Sequence, residues 1–130
     1  MDNMIELSPQ YEYEGDFSKE TAYRITKKMI ESGDIPDALF LSNNYTSLGF
    51  AKAVFEEGLK IGKDICCVGF DKADALDVLN LNFSYVERDA ANMGRIAMKM
   101  LLDQIHHMSS DRNEHIISAK LVLKGSERWE

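Results

Sequence analysis

The 130-residue sequence is short of the features that mark several large protein classes. Only two cysteines occur, adjacent at Cys66 and Cys67, which argues against a disulfide-stapled secreted domain. Neighbours on a strand point to opposite faces, so these two are badly placed to bridge each other. They are expected to be two small buried hydrophobes in a reducing, cytoplasmic compartment. No apolar run approaches the roughly 18–20 residues that cross a bilayer. The opening stretch Met1–Gln10 also lacks the basic-then-apolar pattern of a signal peptide. Positive charge is scarce too: 15 basic residues face 22 acidic ones, a net charge of −7. A surface of that sign repels phosphate backbones, so these residues are not expected to touch nucleic acid directly. Enzyme signatures are missing as well, with no phosphate-cradling glycine loop, zinc-binding His-Glu helix motif or Gly-x-Ser-x-Gly elbow. His106, His107 and His115 fall at a helix end and the connection after it, where the helix dipole gives histidine an ordinary role. The expectation is a non-enzyme with no cofactor, no metal and no membrane partner.

What is present is ordinary globular material, 45% hydrophobic and 28% charged, enough for one compact domain. Tyr11 and Tyr13 alternate with Glu12 and Glu14, which predicts a strand ending near Gly15. Ser18 is a candidate N-cap for a helix to about Ser32, with Ala22, Ile25 and Met29 on one face and Gly33 as its stop. Ala38–Leu41 is a continuous apolar run, the pattern of a strand covered on both faces. A helix over Tyr45–Glu57 follows, then a second apolar strand at Ile65–Phe70. Residues 71–82 read as irregular with one helical turn around Asp74–Leu79, and Phe83–Val86 as a short extended stretch. An amphipathic helix is predicted near Asp89–His107, with Met93, Ile96, Met100, Leu101 and Ile105 at helical spacing. Ile116–Leu123 reads as a last strand. Strand, helix, buried strand, helix, buried strand predicts an α/β fold, a parallel sheet with helices on both faces.

Right-handed crossovers place the C-terminal ends of such strands on one edge, where ligands bind. Three loops leave that edge: Gly15–Ser18, Ser42–Asn44 and Gly69–Asp71. Together they offer carboxylate, amide and aromatic groups, a set suited to a polyhydroxylated or heterocyclic small molecule. Taken singly, each has a plainer reading. Phe17 could belong to the core at a helix entrance, Asn43 could cap the helix after it, and Asp71 could hold a turn.

The order of these motifs resembles the lactose/galactose-repressor family of bacterial transcription regulators. The resemblance rests on Gly15-Asp16-Phe17-Ser18, Ile35-Pro36-Asp37-Ala38, Asn43-Asn44 with Leu48-Gly49, and the run from Glu57 to Ile65 leading into Val68-Gly69-Phe70-Asp71. Met93-Gly94 and the ending Leu121–Ser126 continue it, so that it covers about Ile5 to Ser126. It implies the two-lobed fold of type I periplasmic sugar-binding proteins, here an incomplete C-terminal lobe. That lobe would comprise residues 5–84 and 115–126, and the helix near 89–107 would belong to the other lobe.

By position, the resemblance implies effector contacts at Phe17, Asn43 and Asp71. Arg88, beside the cleft in the family, would favour an anionic, sugar-phosphate effector. It also implies a homodimer through Leu48, Ala51, Lys52, Phe55, Val78 and Leu79. Family patterns differ at Asn44, usually acidic, at Ala22, often glycine, at Tyr85–Arg88, usually a Thr-and-Gln pattern, and at Lys124, often arginine. The expected role is the effector-binding and dimerising part of a regulator, most simply a repressor, whose operator-reading head lies elsewhere. A transport-type sugar-binding protein and a non-binding fragment are the alternatives. With its own lobe absent, the apolar face of the 89–107 helix is expected to fold back on the sheet or to meet a second copy.

Overall fold

The computed structural model describes residues 8–106 and 114–129. His107, the expected end of the long helix, and residues 5–7 of the expected lobe lie outside the described residues. Helix α1 spans Lys19–Ser32. It starts where Ser18 accepts a hydrogen bond from the Thr21 N–H at 3.2 Å, and Gly33 closes it at φ 74°, a conformation that suits glycine. Helix α2 spans Asn44–Glu56 behind a reciprocal cap. The Asn43 side chain accepts from the Thr46 N–H at 2.7 Å, and the Thr46 hydroxyl accepts from the Asn43 N–H at 3.0 Å. The two helices cross at Gly49. A Cβ there would lie 2.2 Å from the Lys19 carbonyl oxygen and 2.8 Å from the Tyr23 nitrogen, so only glycine permits the approach.

Four strands, β1 (Ala38–Leu41), β2 (Cys66–Phe70), β3 (Ser84–Glu87) and β4 (Lys120–Val122), form one sheet in that order. The first three are parallel, as the apolar composition of β1 and β2 predicts for that pair, while β4 adds antiparallel to β3 and makes the sheet mixed. A single helical turn, α3 (Asp74–Val78), packs on α2. The core lies between the helices and one sheet face, where Met29, Phe50, Val54, Ile65, Cys67 and Phe83 are all buried. The C-terminal stretch is clasped to it. The Ser126 hydroxyl donates to the Cys67 carbonyl and accepts from the Ser84 N–H, both at 2.7 Å, and the Cys67 N–H donates to the Ser126 carbonyl. Both cysteines are free and buried.

Two expectations fail, for one physical reason, and of the two outcomes expected for the 89–107 helix the first, folding back, is not seen. The strand predicted at Tyr11–Tyr13 is not seen: Pro9–Tyr11 form a 3-10 turn, and the chain to Gly15 pairs with no strand among the described residues. Alternation gives a segment the capacity to lie on a sheet, but a strand needs a neighbour to bond. Here a cavity of about 490 Å³ separates it from β1. Strand β1, predicted to be covered on both faces, is instead an edge of the sheet among the described residues, and Phe40 is 63% exposed. Helix α4 (Ala90–Ile105) does not fold back. It packs on no other described element, and none of its residues is buried. Among the described residues, no helix is long and apolar enough to cross a membrane.

Candidate functional site

The loop before α1 is built by Asp16. Its carboxylate accepts from the Ser18 hydroxyl at 2.6 Å, the Ser18 N–H at 3.0 Å and the Thr21 hydroxyl at 3.0 Å. These bonds, those from Ser18 foremost, hold its carboxyl below the usual aspartate range. Pinning the chain on both sides of Phe17 puts that residue at φ 63°, an uncommon conformation for an aromatic. Its ring is 64% exposed, so Phe17 is no core residue.

Asn43 is the cap its position suggested, and more. Its Nδ2 donates to the Phe17 carbonyl at 3.1 Å, which ties the loop before α1 to the end of β1. An amide has two donors and two acceptor sites. One of each is spent here, which leaves one donor and one acceptor for a ligand.

Asp71 follows β2 at φ 66° and donates its N–H to the Val86 carbonyl at 2.9 Å. Among the described residues its carboxylate bonds no group of the turn. It receives Arg88 in a two-pronged pair, Nε at 2.7 Å and Nη2 at 2.8 Å. The guanidinium carbon also lies 5.9 Å from the centroid of the Phe70 ring. The hydrogen bond to Asp71 raises the Arg88 pKa above its ordinary value.

All four expected site residues therefore lie at the C-terminal edge of the parallel strands, but as two pairs. Phe17 is joined to Asn43 and Asp71 to Arg88, and no hydrogen bond or ion pair among the described residues links one pair to the other. The arrangement offers a ring, an amide and an internally neutralised ion pair, which suit a polar, uncharged molecule better than a strongly charged one. Asp16, the anchor of the whole loop, was not singled out from the sequence. The spacing Asp16-x-Ser18-x-x-Thr21 before a helix was its signal.

The expected dimer face divides. Ala51 is buried in the core and Leu48 is half-buried against it, whereas Phe55 is 77% exposed, with Val78 and Leu79 also exposed. Lys52 is exposed, 4.7 Å from the centroid of the Tyr23 ring and 3.8 Å from Glu56.

Residues 5–126 match the periplasmic binding protein-like domain family. The HTH-type transcriptional repressor CytR of Escherichia coli (strain K12) is 27% identical over 124 residues, covering 95% of this chain and 36% of that protein. The chain thus spans about a third of the length of this curated relative. Among solved structures, a transcriptional regulator LacI from Bacillus cereus subsp. cytotoxis superposes with a TM-score of 0.88 at 24% identity, over 97% of this chain and 45% of that one. The lac repressor dimer bound to operator and the anti-inducer ONPF gives 0.76 at 24% identity, over 88% of this chain and 34% of that one.

Proposed function

The chain belongs to the periplasmic binding protein-like domain family, and from that premise we propose that it is part of the effector-binding domain of a cytoplasmic transcription regulator of the lactose/galactose-repressor type, working by binding and not by catalysis. One observation carries the reading. The Phe17 ring is held out in a left-handed backbone conformation, tied to Asn43, on the sheet edge where ligands of parallel α/β sheets bind.

The Asp71–Arg88 pair narrows the ligand class. A phosphate seeking Arg88 would have to displace Asp71 and then sit beside the freed carboxylate. A neutral hydroxyl can use the remaining lone pairs of Asp71 and leave the ion pair intact. The sugar-phosphate effector suggested by Arg88 alone therefore gives way to a neutral sugar or nucleoside. Melting in the presence of millimolar neutral sugars, nucleosides and their phosphates tests this. Saturating the site at about 100 times Kd would add about 2.7 kcal/mol of stability. Neutral ligands are expected to raise the midpoint, phosphates not, and Asp71→Asn to erase the rise without unfolding the chain. A larger rise with phosphates, retained in Asp71→Asn, would overturn the ligand class.

Dimerisation through Lys52, Phe55, Val78 and Leu79 accompanies this role, since α3 packs on α2 and sets these exposed side chains on adjoining elements. Phe55→Arg is expected to yield monomers in sedimentation. In a full-length regulator, the ligand would bias the arrangement of operator-reading heads supplied by other segments.

A further inference from the structure

The end of the sheet opposite the candidate site carries a second cavity, of about 730 Å³. Its walls come from the turn before β2, the stretch Asn80–Phe83 before β3, and the turn that follows β4. The first and last of these pack closely: a Cβ on Gly62, at φ 83°, would lie 3.3 Å from the Gly125 carbonyl oxygen. In a chain of net charge −7, this cavity is lined by Lys60, Lys63, Lys124 and Arg128 and, among the described residues, by no acid. The acids nearby in sequence are engaged elsewhere. Asp64 accepts the Lys60 N–H at 2.8 Å, Asp77 holds Lys124, and Glu127 accepts from the Ser84 hydroxyl and the Gly125 N–H. Lys60, Lys63 and Arg128 are exposed and form no ion pair among the described residues. The Trp129 side chain lines the same cavity and is also exposed.

We propose that this groove binds an acidic peptide segment of a partner protein, with carboxylates spaced around one or two large apolar side chains. Two features select that chemistry. The first is where the donors are. The backbone N–H groups of Lys60, Gly62, Lys63, Gly125, Ser126 and Arg128 all bond inside the protein. They form no backbone cradle for a compact phosphate. The positive charge sits instead on long, separate side chains from two turns, which matches carboxylates distributed along a chain. The second feature is Trp129, whose indole offers an apolar body for a Leu or Phe side chain to cover. Trp and Arg are the residues that most often carry binding energy at protein interfaces. A nucleic acid would bring compact phosphates to an otherwise acidic surface and forfeit this match.

The chain has one tryptophan, so its emission reports on this groove alone. The probe is the peptide Asp-Glu-Leu-Asp-Phe-Glu-Asp, titrated into the full 130-residue chain at low salt, with its Asn/Gln counterpart as control. A saturable change in Trp129 emission is expected with the acidic peptide only. The paired reversal Lys63→Glu and Arg128→Glu alters two exposed side chains, so the fold should persist while binding falls about tenfold or more. That variant should in turn bind a peptide carrying Lys in place of the acids. On the unaltered chain, salt at about 0.5 M should also weaken binding, a test that needs no variant to fold. Equal binding of the Asn/Gln peptide, unchanged binding in the folded variant or at high salt, or no saturable change would overturn the proposal. So would a short oligonucleotide of equal charge that binds more tightly, which would make nucleic acid the occupant. Emission that shifts with protein concentration alone would overturn it too, by placing a second copy in the groove. Phe55, on the rim, belongs to the face proposed for dimerisation and is left unchanged throughout.

Discussion

Helices α2 and α4 are of similar length, and both carry apolar side chains, yet only one is built into the protein. In α2 six residues are buried, including Phe50 and Val54, whereas in α4 none is, and Met98, Leu101 and Ile105 stand exposed. The sequence of α4 is, if anything, the more plainly amphipathic. The contrast shows that an apolar stripe reports what a helix could cover, while burial depends on whether a surface of the right shape lies opposite. For α2 that surface is α1, β1 and β2, met through the close crossing at Gly49. For α4 the described residues supply none.

The sharpest way to break this comparison is to make the same truncation on each side of it. Phe50→Ala removes a fully buried ring and should cost about 3–5 kcal/mol in urea unfolding, a large share of the roughly 5–15 kcal/mol that holds a typical domain. A loss under about 1 kcal/mol would mean that the α2 core is looser than its burial indicates.

Acid should act between these extremes, at the junction of α3 with the approach to the C-terminal stretch. Lys124 lies 2.5 Å from the Asp77 carboxylate and Lys72 lies 3.2 Å from it. These partners, Lys124 first, hold its pKa below the ordinary aspartate value. A carboxyl lowered on folding stabilises fully above its unfolded pKa, and that contribution fades as pH falls through the folded one. Stability should therefore drop on acidification below the usual carboxylate range. In Asp77→Asn the drop should be shallower, as read from urea midpoints at stepped pH.

The smallest effect belongs to α4. Leu101→Ala should change the unfolding free energy by no more than about 0.5 kcal/mol in dilute protein. It should nonetheless lessen self-association in light scattering, because an exposed apolar face of this kind favours contact with other surfaces. A cost comparable to Phe50→Ala would show that α4 is covered in solution, and the comparison would collapse.

What the sequence revealed divides along the same line. The ends of α1 were readable from Ser18 and Gly33, and the start of α2 from Asn43, because caps are local chemistry written within a few residues. The apolar strands β1 and β2 were readable from composition. The fate of Tyr11–Tyr13 and the exposure of β1 were not, because both depend on a neighbour in space. At the candidate site, the Phe17, Asn43 and Asp71 loops could be placed on one edge from topology alone. The Asp71–Arg88 pair could not be foreseen, since it joins residues 17 positions apart through the parallel pairing of β2 with β3.

The C-terminal clasp also gives the molecule a chemical clock. Burial pushes the Cys67 thiol up to about 12, so at neutral pH it is overwhelmingly protonated and a poor nucleophile. Its own backbone N–H and carbonyl are the groups that Ser126 occupies. An alkylating reagent can reach this sulfur as thiolate only while that part of the core is open. Where reclosing outpaces alkylation, the rate at which Cys67 is labelled in the native protein therefore reports the population of the opened latch, with no change made to the sequence.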